Sequence, residues 1–234
     1  MPHEDRPPSV VPRQRWRIVF RRDEGARFLA HLDVMKLWER ALRRAGIPVA
    51  ATEGFNPRPR IVFAAPLPLG MLAEREVVDI VLSERLTVAD LRGRLERDLP
   101  EGFALVDLHD VWVNAPSVAA RLASATYRLD IAGADEAAVR CAVAGLLAAD
   151  RVERERQKDK RTVVYDLRPL VIGVDVLRWD DAGGDGTLRI EVRHSQDGGT
   201  GRPEEVVADL AARIGRDLTT TLTVRERLTL VDED

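Results

Sequence analysis

Two kinds of hydrophobic periodicity alternate along the chain, and their order constrains the fold more than any single motif. In residues 15–22, apolar and polar side chains alternate with period two, which predicts a strand with arginines on one face. Between Val34 and Ala45, apolar residues recur at spacings of three and four, which predicts a helix with one buried face. Gly46 and Pro48 predict the end of that helix. The first part of the chain is therefore predicted to be a strand followed by an amphipathic helix.

The remainder of the first half continues this alternation. Its predicted elements are strands at 61–65 and 77–83, a helix opened by Thr87 and closed by Pro100, and a strand at 103–113. The order β-α-β-β-α-β is the plan of a ferredoxin-like unit.

The second half repeats the same pattern of elements. Its predicted elements are a strand at 125–132, a helix at 136–150, a hairpin around 158–161, strands at 171–179 and 187–195, a helix at 204–217 and a strand at 221–230. We therefore predict an α+β protein with two tandem ferredoxin-like (βαββαβ) units, whose antiparallel sheets carry helices on one face. The predicted boundaries are a disordered tail (1–14), a first unit (15–113), a connector (114–124) and a second unit with an inserted strand (125–234).

Composition excludes several classes of protein. Cys141 is the only cysteine among 234 residues, which rules out an internal disulfide and any zinc or iron–sulfur site built from several cysteines of this sequence. No apolar run approaches the roughly 20 residues that span a bilayer. The polar, proline-rich segment 1–14 has no apolar signal core. We therefore expect a cytoplasmic protein with no membrane partner, no metal and no cofactor.

Charge is distributed unevenly along the chain. The formal net charge is −3, but residues 13–60 hold twelve Arg and Lys against five Asp and Glu. A local basic excess inside an acidic chain indicates a surface patch that meets an anion. A solvated, ion-paired surface is the alternative interpretation.

The predicted patch has two parts. Lys36, Arg40, Arg43 and Arg44 lie on the helix side opposite the apolar stripe, and the turn at 54–60 (GFNPRPR) follows the helix. Guanidinium groups bind phosphate bidentately and stack on bases. The predicted RNA-binding residues of this region are Arg27, Lys36, Arg40, Arg43, Arg44, Asn56, Arg58 and Arg60.

Two residues of the turn allow more than one interpretation. Phe55 is expected to fill the core beneath the loop, and the alternative is a platform for base stacking. Asn56 either satisfies the backbone of the turn or contacts a base.

A second basic segment, 151–169, holds seven Arg and Lys against four acidic residues. From it we add Lys158, Lys160, Arg161 and Arg168 to the predicted RNA-binding residues. The alternative is a polar hairpin that only confers solubility.

His31 is a weak catalytic candidate. A histidine at a helix entry beside Arg27 could act as general acid or base near an RNA 2′-hydroxyl. The favoured alternative is a hydrogen bond from His31 to a local carbonyl or to Asp33. No two histidines have the spacing of metal ligands. Asp79 and Asp107 are isolated in strands and are expected at a sheet edge or facing solvent.

Several motifs resemble a known bacterial family. RFLAHLD (27–33), ERALRRAG (39–46), GFNPRP (54–59) and LPLG (67–70) stand in order, and YDLRPL (165–170) is a weaker match. They resemble the signatures of the radical-SAM-associated, or radical-SAM-linked, proteins, a family of unknown function. The resemblance implies a radical SAM protein as partner. A radical SAM enzyme holds its cluster with three cysteines, and these residues supply only Cys141.

A looser resemblance concerns the fold. Tandem ferredoxin-like units with an early helix-entry histidine are similar to the repeat-associated RNA-binding and RNA-cleaving proteins of CRISPR systems.

Three functions follow as hypotheses. The leading one is a non-catalytic RNA-binding adaptor that presents an RNA or ribosomal substrate to a radical SAM enzyme. The second is a metal-independent endoribonuclease that uses His31. The third is a protein-interaction module that docks a radical SAM enzyme without nucleic acid. Of these three hypotheses, we favour a binding function over an enzymatic one.

Overall fold

The computed structural model describes residues 14–158, 161–180, 182–195 and 199–231. Within these ranges the protein is an α+β fold with four α-helices and a mixed sheet of nine strands. This confirms the predicted α+β class, but the nine strands form one mixed sheet where two antiparallel sheets were predicted. The tail predicted at 1–14 lies outside the described residues except for Gln14, which begins the first strand.

The chain divides into two compact units. Among the described residues, one unit comprises 14–69 together with 76–120, and the other comprises 70–75 together with those between 121 and 231. The strand at residues 72–82 contributes its first residues to the second unit and the rest to the first.

The first unit contains the elements in the predicted order. They are β1 (Gln14–Arg22), α1 (His31–Arg44), β2 (Ile61–Phe63), β3 (Leu72–Leu82), α2 (Val88–Asp98) and β4 (Phe103–Val111). The strands lie side by side in the order β2-β3-β1-β4. β4 runs antiparallel to β1, and β2 runs antiparallel to β3.

The core of the first unit joins one face of β1 to α1. Trp16, Ile18 and Phe20 are buried on the strand. From the helix, Trp38 packs its ring 4.7 Å from the ring of Phe20, and Leu42 is also buried. The two hydrophobic periods of the sequence therefore meet in one core, as helical and strand geometry require.

The opposite face of β1 is also buried, which corrects the prediction for Asp79. Asp79 is only 1% exposed and accepts hydrogen bonds from Arg15 Nε at 3.0 Å and from Arg17 Nε at 2.9 Å. Arg15 also donates to the carbonyl oxygens of Ala115 and Pro116. The segment after β4 therefore supplies partners for this charged face. Asp107 is exposed, as expected.

The second unit has its own set of elements. They are β5 (Leu122–Ala132), α3 (Glu136–Ala148), the hairpin β6 (Glu153–Lys158) and β7 (Arg161–Asp166), β8 (Val171–Asp180), β9 (Asp185–Ser195), β10 (Gly199–Thr200), α4 (Pro203–Ile214) and β11 (Thr219–Leu230). The strands are ordered β10-β9-β5-β11, and β8 pairs with β9. β5 is antiparallel to both of its neighbours, β9 and β11. β6 and β7 form the predicted hairpin as a separate two-stranded sheet.

Several element ends follow the local signals of the sequence. Thr87 caps α2, because its hydroxyl oxygen accepts a hydrogen bond from Asp90 N at 3.1 Å. Gly46 follows α1 with φ of 62°. α3 and α4 are each a few residues shorter than predicted. Among the described helices, none is long and apolar enough to cross a membrane.

Gly102 is expected to be the glycine of the first unit least tolerant of alanine. It has φ of 81°, and a Cβ there would lie 2.5 Å from Ala26 N, which is rigid backbone. Gly46 has a similar φ of 62°, but the atom nearest to a Cβ at that position, Arg94 Nη1, would lie 3.7 Å from it. Gly46→Ala should therefore cost about 1 kcal/mol for the left-handed backbone alone. We expect chemical denaturation to show a clearly larger loss of unfolding free energy for Gly102→Ala than for Gly46→Ala. Equal losses in the two variants would contradict the predicted clash.

Candidate nucleic-acid interface

The basic face of α1 is formed by Lys36, Arg40, Arg43 and Arg44, and all four are exposed. At 100° per residue these positions fall within one stripe about 12 Å long. The apolar face of the helix, with Val34, Trp38, Ala41 and Leu42, is buried. Burial of one side therefore turns the basic side toward solvent.

Within the described residues, Arg44 is the one member of this face that is held by an acidic residue. Its Nε donates to Asp98 Oδ1 at 3.0 Å, and its Nη2 donates to the Asp98 carbonyl oxygen at 2.6 Å. The hydrogen bond from Arg44 holds the pKa of Asp98 below its usual range, assisted by Arg97 and opposed by desolvation. Arg44 thus ties the end of α1 to the end of α2.

The 51–60 loop is a second exposed basic feature of the first unit. Thr52 N donates to the Arg58 carbonyl oxygen at 2.8 Å, and Thr52 Oγ1 accepts from Arg58 N at 3.0 Å. Ala51 and Pro59 form a β-bridge at the base. These contacts close a short loop whose tip, residues 53–57, is exposed.

The tip of this loop corrects one prediction. Phe55 does not fill the core, because its exposed fraction is 113% of the reference value. The Asn56 side chain and the Arg58 guanidinium are exposed and have no hydrogen bond within the described part of the chain. Arg60 is half-buried.

Arg27 is engaged locally. Its Nη1 lies 3.4 Å from a carboxylate oxygen of Glu24, and its guanidinium lies 5.4 Å from the ring centroid of Phe28. The loop before α1 therefore already holds this side chain.

The acidic residues nearest in sequence do not neutralise the patch. In the ranges that the structure describes, Asp33, Glu39 and Glu53 make no ion pair with any of the predicted basic residues. Lys36 and Arg43 have no ion pair there at all. Their charges remain free to attract an anion.

The predicted basic residues of the second unit divide into two groups. Lys158 pairs with Arg161 at the end of the β6–β7 hairpin, but the side chains of both, and the whole of Lys160, lie outside the described part. Arg168 donates to the Leu147 carbonyl oxygen at 3.0 Å and to the Val171 carbonyl oxygen at 2.9 Å. This guanidinium therefore satisfies carbonyl oxygens at the end of α3 and the start of β8.

A third group in the second unit, formed by Arg156, Tyr165 and Glu205, was not predicted from the sequence. Arg156 lies over the ring of Tyr165, with 4.9 Å from guanidinium carbon to ring centroid, and its Nη2 donates to Glu205 at 3.1 Å. Burial, together with the Glu205 carboxylate, raises the pKa of Tyr165 to about 12. Glu205 is 49 residues from Arg156 in the sequence, so no local motif links them.

His31 is the first residue of α1 and is half-buried. Its ring meets the ring of Phe63 edge to face, with 5.4 Å between centroids. No group of His, Cys, Asp and Glu within the described residues has a geometry that could hold a metal ion.

Several solved structures resemble this fold at low sequence identity. A chain of the crystal structure of a Cbf5–Nop10–Gar1 complex has a TM-score of 0.50 at 11% identity, over 90% of this chain and 49% of that one. A chain of an H/ACA ribonucleoprotein bound to a substrate RNA containing 2′-deoxyuridine has a TM-score of 0.47 at 12% identity, over 90% of this chain and 47% of that one. A chain of an archaeal box H/ACA Nop10–Cbf5 complex has a TM-score of 0.46 at 14% identity, over 93% of this chain and 50% of that one.

The protein therefore spans about half the length of the solved chains that it matches. No curated protein matches the sequence. A family model matches residues 15–203, which include both the basic face of α1 and the 51–60 loop, and the chain belongs to this family, described as an uncharacterized protein conserved in bacteria (DUF2344).

Proposed function

We propose that the first unit binds RNA through the basic face of α1 and the 51–60 loop, and that the protein is a non-catalytic adaptor. The observation that carries this proposal is the exposure of Lys36, Arg43 and Arg58, none of which has an ion pair within the described ranges. Arg40 adds a fourth exposed cation, which lies on the same face of α1 as Lys36 and Arg43. Arg27, Arg44 and Arg168 already have structural partners and are expected to contribute less.

The chemistry of these groups favours a phosphate backbone. Arginine presents a planar fork of donors that matches phosphate oxygens, and each neutralised phosphate releases counterions. Lys36 and Arg43 are about 10 Å apart along the helix axis, so the two cations can each reach a different phosphate of one strand. An acidic protein surface is the competing partner, and RNA binding is the better fit because an aromatic ring stands exposed in the 51–60 loop of the same unit.

We infer that each unit follows the ferredoxin-like plan. The order of elements and the strand order β2-β3-β1-β4 in the first unit support this. In the second unit, the corresponding order β8-β9-β5-β11 with antiparallel neighbours supports it too. Such sheets often serve as platforms for RNA.

The proposed partner is a radical SAM enzyme, on the basis of the motif resemblance. Three cysteines would have to come from outside these 234 residues, because only Cys141 is present. The adaptor would contribute RNA binding and leave the reaction to the enzyme. Co-purification from the native host tests this role: recovery of a radical SAM protein that nuclease treatment abolishes would indicate a bridge through RNA.

The test of RNA binding is the double variant Arg40→Ala/Arg43→Ala. The purified protein is titrated with tRNA and rRNA fragments over a series of salt concentrations. We expect wild-type affinity to fall as salt rises, and the variant to lose affinity with a slope of log affinity against log salt that is smaller by about 1–2.

A matched double variant controls for the loss of two charges. Arg92 and Arg140 each pair with a glutamate four residues away on their own helix, at 3.4 Å and 2.6 Å. Arg92→Ala/Arg140→Ala should leave affinity nearly unchanged. The proposal would be rejected if the affinity for RNA changed neither with salt concentration nor in the Arg40→Ala/Arg43→Ala variant.

A further inference from the structure

The 51–60 loop keeps an aromatic ring in water above a base that is closed by hydrogen bonds. Phe55 is the most exposed of the large apolar side chains in the part of the protein that the structure describes. Two hydrogen bonds between Thr52 and Arg58 close the loop on either side of it. Pro57 and Pro59 restrict the backbone further. A phenyl ring held in this way offers both faces to a ligand without losing much conformational freedom on binding.

The surroundings of this ring indicate the chemistry of the ligand. Arg58 and Arg60 follow Phe55 within five residues, and Glu53 is the only acidic residue of the loop. The Arg58 guanidinium is exposed and makes no ion pair within the described residues. An exposed ring beside unpaired cations is the combination by which proteins bind single-stranded nucleic acid: cations follow the phosphates while rings stack on bases.

The geometry points to a specific class of RNA, and this inference rests on the proposed RNA-binding function. We propose that Phe55 stacks on an unpaired base, so that the protein takes RNA with a single-stranded segment, loop or bulge in preference to continuous duplex. In A-form duplex the base faces are covered by their neighbours, and the major groove is too narrow for a side chain to enter. A ring at a loop tip therefore reaches a base face only where pairing is interrupted.

The test compares two RNA probes of the same sequence. One is a mixed-sequence single strand that carries 2-aminopurine, and the other is the same strand paired with its complement. We expect tighter binding of the single strand and a change in 2-aminopurine fluorescence on binding. Phe55→Ala should weaken binding of the single strand roughly 5- to 150-fold and change duplex binding much less. Phe55→Trp should restore single-strand binding, because the larger ring also stacks.

Trp112→Ala is the matched control. Trp112 is also an aromatic residue of the first unit and is 69% exposed, but it lies after β4 and outside the loop. Its removal should leave both affinities unchanged. Equal binding of the two probes, or a Phe55→Ala variant with wild-type affinity for the single strand, would overturn the stacking proposal. If Arg40→Ala/Arg43→Ala still weakened both probes, RNA binding itself would stand. If that variant also had no effect, the proposed function would fall as well.

Discussion

Replacing Asp79 with asparagine is expected to lower the free energy of unfolding by about 3–5 kcal/mol. Asp79 is the acidic partner of two buried guanidinium groups, since Arg15 and Arg17 both donate to its carboxylate. A neutral amide in its place leaves two buried positive charges without their counter-charge. Breaking a buried pair from one side costs far more than the intact pair contributes, because desolvation of the remaining charge is no longer offset.

Guanidinium denaturation followed by circular dichroism measures this loss. Asp175→Asn is the control, because Asp175 lies exposed on β8 and carries the same change of charge. That variant should stay within about 0.5 kcal/mol of wild type. An Asp79→Asn variant as stable as the Asp175→Asn control would mean that the two arginines find other partners or solvent.

Replacing Trp38 with alanine should cost about 3–5 kcal/mol, and replacing it with phenylalanine only about 1 kcal/mol. The indole is fully buried and its ring lies against Phe20 and Phe63, with centroid distances of 4.7 Å and 5.9 Å. Alanine leaves a cavity between α1 and the sheet. Phenylalanine keeps most of the ring contacts and removes the indole N–H, which has no acceptor within the described residues. Removing an unsatisfied donor offsets part of the lost packing.

Trp112 supplies the reference for these two changes, because it is exposed in the same unit. Trp112→Ala should change the free energy of unfolding by no more than about 0.5 kcal/mol. Thermal or chemical denaturation of the three variants ranks them by their loss of unfolding free energy. If Trp38→Phe were as damaging as Trp38→Ala, the indole N–H would have to make a hydrogen bond that the described residues do not show.

Periodicity was sufficient to predict the class of the fold and the orientation of α1. Because Val34 and Trp38 recur at helical spacing, the amino-acid sequence alone assigns the side of α1 that carries Arg40 to solvent. The cap at Thr87 and the turn at Gly46 were predictable for a related reason, since both depend only on neighbouring residues.

Contacts between distant residues could not be predicted in this way. Asp79 was expected at an edge because alternation does not reveal that a segment 36 residues later covers the second face of β1. One signal was present: Asp79 is a single charge within an apolar run, which is typical of a strand buried on both sides. Phe55 was expected in the core because hydrophobicity alone does not distinguish a buried aromatic side chain from an exposed one.

The same limit applies to the basic residues. Nothing in the local sequence separates Arg168, whose guanidinium is bonded to the Leu147 and Val171 carbonyl oxygens, from Arg43, which is exposed without an ion pair in the described ranges. Charge counting therefore located exposed basic residues but could not separate them from those already hydrogen-bonded within the protein.

The hydrogen bonds from Arg15 to the carbonyl oxygens of Ala115 and Pro116 have a consequence for synthesis of the protein. The first strand leaves the ribosome about a hundred residues before the segment that completes its charged face. At about 5–20 residues per second this interval lasts on the order of 5–20 s. Asp79 arrives partway through it. Until Asp79 emerges, the two arginines of the first strand lack their acidic partner, and their buried face is completed only after residue 116 has emerged.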